Sequence, residues 1–149
     1  MATVKNFEEL EVWQLAREFC KDVYAVIEST SLRNNWKLRD QIDASAGSIM
    51  DNIAEGFERG GTKEFIQFLG FSTGSCGESR SQLYRIYDRS FISKEKFTEL
   101  NEKTLSLSKQ LNGFIGYLKK TDIKGYKKGY KFQEDQAGYL VSQSQISNT

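Results

Sequence analysis

The chain has 149 residues, with 21 basic and 20 acidic side chains and a formal charge of +1. That length makes one domain able to bury a sizeable core, and the charge balance excludes a whole-molecule pull toward nucleic acid or a membrane surface. Histidine is absent and only Cys20 and Cys76 are present, which removes the usual neutral-pH general base, the commonest metal ligand, zinc clusters and a disulfide framework. No cofactor is expected. Proline is absent too, which suits long helices, since an interior proline costs about 3 kcal/mol. No basic-then-apolar leader opens the chain, and no apolar run approaches the ~18 residues of a membrane span. A cytoplasmic protein with reduced core thiols is expected.

Asn6 followed by Glu9 has the pattern of a capping box opening a first helix. Leu10, Trp13, Ala16, Cys20, Val23 and Ile27 trace one apolar line along it, and Val12, Phe19 and Val26 a second. Two lines predict burial on two sides, in a bundle core plus a subunit contact or under the tail. The helix is expected to end near Glu28, with a loop to about Trp36.

A second helix follows from about Lys37, and the chain is organised around it. Ile42, Ser45, Ala46, Ile49, Asn52 and Ile53 recur at three- and four-residue spacing. Asn52 interrupts the apolar stripe, and a buried amide without partners costs about 1–3 kcal/mol. It therefore predicts a polar contact inside a helical core. Gly56 caps this helix, or the helix continues to Arg59, with Gly60-Gly61 turning the chain in either case.

The third helix is expected from Thr62 to about Tyr87, with Phe65, Phe68, Leu69 and Ser72 on its apolar face. Gly70, Gly74, Gly77 and Ser81 follow at helical spacing. Each interior glycine costs about 1 kcal/mol relative to alanine, so close approach to a neighbouring helix is expected, with Ala44, Ser45 and Ser48 as partners. A phosphate-cradling loop is the rival reading, but no G-K-[ST] follows and no strand precedes. Ser93 then caps a fourth helix with a sustained heptad seam: Phe97, Leu100, Thr104, Leu107, Leu111, Phe114 and Leu118. Four helices with short connections predict an all-α, antiparallel up-down-up-down four-helix bundle over residues 1–120. Residues 121–149, Lys/Tyr-rich and then polar, are expected to be a flexible tail.

Glu55 and Glu78 sit in adjacent helices, but without histidine, a metal set or a cleft they read as structural rather than as an acid/base pair. Glu78 is expected to accept hydrogen bonds from Ser48, Asn52 or an arginine. Arg80, Arg85 and Arg89 lie along the end of the third helix, and Arg33, Lys37 and Arg39 open the second. The two groups are expected at one end of the bundle, where Asp40, Asp43 and Asp88 partly neutralise them. The stronger RNA-binding candidate is the stretch holding Lys119, Lys120, Lys124, Lys127, Lys128 and Lys131, interleaved with Tyr126, Tyr130 and Phe132. Lysines neutralise phosphates while aromatic rings stack on exposed bases. A solubilising tail is the alternative, and no amphipathic face organises these lysines for a membrane.

S-I-x-x-N-I-A-E-G, Ser48 to Gly56, resembles the signature of the bacterial four-helix-bundle family of 23S rRNA intervening-sequence proteins. Its neighbours agree: L-x-V-W-Q-x-A from Leu10, D-Q-I from Asp40, E-F-I-Q-F-L from Glu64 and G-S-x-x-E from Gly74. The match covers roughly residues 7 to 118. The resemblance implies an antiparallel bundle assembled into a homopentameric barrel, and a link to insertions in bacterial large-subunit rRNA genes. Accessory proteins of diversity-generating retroelements, a related group, form basic pentamers that bind reverse transcriptase and RNA. Partners implied are thus other copies of the chain, rRNA or another RNA, or a protein. Ser48, Asn52, Glu55, Gly56, Gly74, Ser75 and Glu78 are motif positions, read as structural. The expectation is a non-enzymatic, oligomeric, RNA- or ribonucleoprotein-associated bundle, with a protein-interaction scaffold as the alternative.

Overall fold

In the computed structural model, which describes residues 4–123, four α-helices follow one another: α1 (Glu11–Ser29), α2 (Trp36–Glu58), α3 (Thr62–Asp88) and α4 (Lys94–Ile123). The Glu9 carboxylate accepts the backbone N–H groups of Lys5 at 2.7 Å and Asn6 at 3.3 Å. The expected cap therefore closes a 3-10 turn over Phe7–Glu9, and α1 begins only at Glu11. Between α1 and α2, Thr30 Oγ1 donates to Val26 O at 2.7 Å and accepts from the Leu32 N–H at 3.2 Å. Fully buried Leu32 anchors that loop. Asn35 Oδ1 then caps α2 by accepting the Leu38 N–H at 3.2 Å.

The helices pack about one apolar core. Contacts between α2 and α3 join Gln41 to Arg85, Ser45 to Ser79, Ile49 to Ser72 and Gly56 to Phe68. Residue number rises along one helix as it falls along the other, so the two run in opposite directions. Phe65 meets Phe114 at 5.1 Å and Tyr87 meets Phe97 at 5.0 Å, which gives α3 and α4 the same opposed order.

Both apolar lines of α1 belong to this core. Val12, Phe19 and Val26 are buried together with Leu10, Ala16, Val23 and Ile27. The second line needs neither a subunit nor the tail, because α1 lies against both α2 and α4. A helix with two neighbours buries a face wider than one stripe. On α4 the heptad seam is buried from Leu100 to Leu118, and Phe97 is held half-buried between Tyr84 and Tyr87. Ser93 caps α4 as expected, its Oγ accepting the Lys96 N–H at 3.1 Å.

The glycines divide differently from the expectation. Gly56 is neither a cap nor free: α2 continues to Glu58, and a Cβ at position 56 would stand 2.5 Å from Phe68 Cβ. This is where two helices touch. Gly70, Gly74 and Gly77 have nothing within 4 Å of where a Cβ would be, and Ala44 is exposed. The close approach expected of the α3 glycines is made by Gly56 instead, because Phe65 and Leu69 turn the opposite face of α3 into the core.

Two turns end helices with left-handed backbone. Gly60 (φ 82°) follows α2 and Ser90 (φ 63°) follows α3. The Ser90 N–H donates to Tyr87 O at 2.9 Å and the Phe91 N–H to Ile86 O at 3.1 Å, a Schellman closure that fixes Phe91 at the end of the bundle.

Gly56→Ala is expected to lower stability by about 1–3 kcal/mol, since Phe68 Cβ cannot rotate away and the helices must part. Gly70→Ala should raise it by up to about 1 kcal/mol. Urea unfolding of both variants at one protein concentration checks the contrast.

Candidate functional site

A polar seam runs along α2 and α3, with the motif residues Ser48, Asn52 and Ser75 at its edge. Inside it, Ser45 Oγ lies 2.8 Å from Ser79 Oγ, 2.5 Å from Gln82 Oε1 and 3.2 Å from Ile42 O. A hydroxyl has one proton to give. The short distance assigns it to Gln82 Oε1, leaving Ser45 to accept from Ser79. All three residues are buried, as is Ser72, whose hydroxyl donates to Ile49 O at 2.8 Å.

Asn52 stands at the outer edge of the seam and not in the core. It is half-buried, and its Nδ2 donates to Ser48 O at 2.8 Å and Ser48 Oγ at 2.9 Å, both in its own helix. Ser75 Oγ donates to Ser48 Oγ at 2.9 Å and ties this edge to α3. The interior amide is Gln82, at 4% exposure. Its signal in the sequence is the run Ser75, Ser79, Gln82, which repeats at helical spacing opposite Ser45 and Ser48.

Glu55 and Glu78 are exposed and far apart. Glu55 pairs with Arg59 at 3.0 Å, next to Gly56 and hence level with Phe68. Glu78 lies further along α3 by roughly 15 Å at about 1.5 Å per residue. Its Oε1 accepts from Gln82 Nε2 at 3.2 Å, a partner different from the expected Ser48, Asn52 or arginine. Gly74 is exposed on the outer side of the same helix.

The basic candidates fall at opposite ends of the bundle. Arg85 is half-buried and donates to Gln41 Oε1 at 3.1 Å, which brings the end of α3 beside the start of α2. Arg39 donates to Arg33 O at 3.0 Å and pairs with Asp40 at 2.9 Å. Arg89, Arg33 and Lys37 are exposed at that same end. Lys119 and Lys120, exposed on the last turns of α4, lie at the other end, roughly 33 Å along α4 from Phe97 at about 1.5 Å per residue. Lys124, Tyr126, Lys127, Lys128, Tyr130 and Lys131 lie outside the described residues.

The thiols are chemically quiet. Burial pushes Cys20 up to about 11, with Asp51 and Asp43 adding to the shift. Burial pushes Cys76 up to about 12, with Arg80 pulling the other way. Both are protonated at neutral pH, and Cys20 Sγ donates to Ala46 O at 3.1 Å. Two hollows mark the surface. One of about 760 Å³ runs along the outer face of α4, where Lys103 is tied to Glu99 and to Asp22 of α1. The other, about 430 Å³, lies at the Arg89 end and is lined by Ser31, Asn34, Asn35, Trp36 and Phe91.

Among the described residues no group of three or more His, Cys, Asp or Glu side chains could hold a metal, and no helix is long and apolar enough to cross a membrane. The described residues form an all-helical bundle in which Ser48, Gly56 and Ser75 of the motif stand at the α2–α3 contact. The chain belongs to the family of 23S rRNA-intervening sequence proteins, whose model matches residues 8–113. Among solved structures, it resembles a protein of unknown function from the S23 ribosomal protein family of Bacteroides thetaiotaomicron VPI-5482. The TM-score is 0.64 at 23% identity, covering 70% of this chain and 97% of that one, a likeness of fold. Comparison with curated proteins finds no match.

Ser45→Ala strands Gln82 Oε1 and Ser79 Oγ in the core and is expected to cost about 1–3 kcal/mol. Equilibrium urea unfolding measures it, and an unchanged midpoint would mean that the seam is not a buried hydrogen-bond network.

Proposed function

We propose that this protein is a non-enzymatic bundle of the antiparallel up-down-up-down type that assembles into a homo-oligomer, a pentamer by family resemblance, and associates with RNA or a ribonucleoprotein in the cytoplasm. The observation that carries this reading is membership of a family named for 23S rRNA. The local charge supports it. Arg33, Lys37 and Arg89 gather at one end of the bundle, and Lys119 and Lys120, which precede further lysines in the sequence, lie at the other.

Anisotropy titration of a structured rRNA fragment and an unrelated RNA, at low and near-physiological salt, tests the association. Binding is expected to weaken steeply with salt. Replacing Lys124, Lys127, Lys128 and Lys131 with Gln should flatten the logarithmic slope by up to about 3, at ~0.7 per phosphate contact on a single strand. Absence of binding at low salt would refute the reading.

Self-association has its own support. Gly70 and Gly74 have open space where a Cβ would stand, Ala44 is exposed, and Phe71, next to Gly70 on α3, is 49% exposed. Gly74→Leu adds a side chain to open space within one copy. It should therefore leave helix content unchanged while sedimentation velocity reports a smaller native mass. Unchanged mass would exclude this face as the contact.

The second reading is a protein-interaction scaffold, akin to a reverse-transcriptase accessory ring. The near-neutral charge and the exposed Tyr84 and Leu105 favour it. A partner retained after nuclease treatment distinguishes it from RNA-mediated capture.

A further inference from the structure

Trp36 is the most exposed of the large hydrophobic side chains among the described residues, at 71%. The protein's other tryptophan, Trp13, is half-buried against Phe7 at 5.1 Å. Tryptophan carries a large apolar surface that folding ordinarily covers. The backbone beneath Trp36 is well anchored. Leu32 and Leu38, on either side, are at most 1% exposed, Asn35 caps the helix that Trp36 begins, and Arg39 Nη1 fastens α2 to Arg33 O in the preceding loop. The ring thus projects from a rigid corner.

The hollow beside it is open and mixed in character. Phe91 forms its far wall, fixed by the closure at Ser90. The side chains of Ser31 and Asn34 line it and make no hydrogen bond within the described residues, so both offer donors and acceptors outward. The surroundings are basic. Residues 31–40 carry three basic side chains to one acidic, and residues 88–94 carry two to one. Asp40 is tied to Arg39, whereas Arg33, Lys37 and Arg89 have no ion pair among the described residues. Against a whole-chain charge of +1, this is a local excess of three.

We propose that this corner binds single-stranded RNA, an unpaired base stacking on Trp36 in the hollow while Arg33, Lys37 and Arg89 take the flanking phosphates. The proposal rests on the RNA-association reading above and gives it a location. An exposed aromatic ring ringed by unpaired cations suits a polyanion that carries flat, separable bases. A duplex offers the phosphates but keeps its base faces stacked. An apolar protein segment would cover the ring but leave three cations to be desolvated without partners.

The test uses the full-length Trp13→Phe protein, in which Trp36 is the sole tryptophan. Fluorescein-labelled twelve-nucleotide oligo(U) and an RNA hairpin of equal length are titrated at low salt, reading anisotropy and tryptophan emission together. Oligo(U) should quench Trp36 with the same midpoint as the anisotropy rise, and more tightly than the hairpin. Trp36→Ala, with helix content verified by circular dichroism, should weaken oligo(U) about 5- to 100-fold, as loss of one base stack does. Arg33→Gln should reduce the salt slope by about 0.7. If RNA binds while emission stays constant and Trp36→Ala binds equally well, this site is overturned and the RNA reading survives. A hairpin that binds as tightly as oligo(U) also overturns it. If neither RNA binds, both fall together.

Discussion

The rest of the bundle depends on how closely α2 and α3 approach each other. At Gly56 the separation leaves no room for a methyl group, since a Cβ there would meet Phe68 Cβ at 2.5 Å. Further along the same pair, the buried side chains between the helices include Ser45, Ser72 and Ser79, each no larger than a hydroxymethyl group, with Gln82 beside them. Small residues let backbones come near, but they bury little apolar area. Hydroxyls offset that by bonding across the gap, to Ile49 O and Gln82 Oε1. The arrangement demands exact partners, because a buried hydroxyl left alone costs more than a made bond gains. Of the motif positions, Ser48, Asn52, Gly56 and Ser75 lie on or beside this contact, whereas Glu55 and Gly74 are exposed away from it.

The remaining contacts are of a different kind. On the α3–α4 side the packing is aromatic, with Phe65 edge-on to Phe114 at 5.1 Å and Tyr87 stacked on Phe97 at 5.0 Å. Such side chains tolerate substitution by others of similar volume more readily than a backbone contact does. Across α1–α4 the ion pair of Asp22 and Lys103 lies at the surface, where salt and solvent weaken it. Lys103 is held above its ordinary value chiefly by its hydrogen bond to Asp22. Its contribution is present below the unfolded lysine range and fades as pH rises through the elevated value. The seam between α2 and α3 is therefore where the sequence has least freedom.

That difference decides what could be read from the residues alone. Apolar periodicity is a direct image of burial, so the α4 seam and the helix boundaries were legible to within a few residues. Glycine and amide positions carry no such image. Gly56 and Gly74 look alike in sequence, and only the rotation of α3 decides that one lies under Phe68 and the other faces outward. Asn52 was expected inside because it interrupts an apolar stripe, yet it sits at the stripe's edge. A buried Gln82 is not expected, because a long polar side chain ordinarily points to water. The basic groups show the same limit. Their sequence separation does not say that Arg89 and Lys119 are set apart by most of the length of α4, so one continuous basic surface could not be distinguished from two separate ends.

Two separate ends have a consequence for how a nearly neutral protein could engage a polyanion. Net charge governs long-range attraction, and +1 supplies little. Local excess acts within a screening length of about 8 Å at physiological salt. At the Trp36 corner, unpaired cations share one end of the bundle with an exposed aromatic ring, whereas the α4 face with its paired Lys103 and Glu99 offers no excess at all. Weak steering combined with a local stacking contact favours short-range capture over scanning of any anionic surface. If several copies assemble, each brings the same corner, and linked corners multiply a modest single-site affinity without any new contact. An assembly with low net charge would then discriminate by the spacing of unpaired bases, a property that a uniformly basic surface lacks.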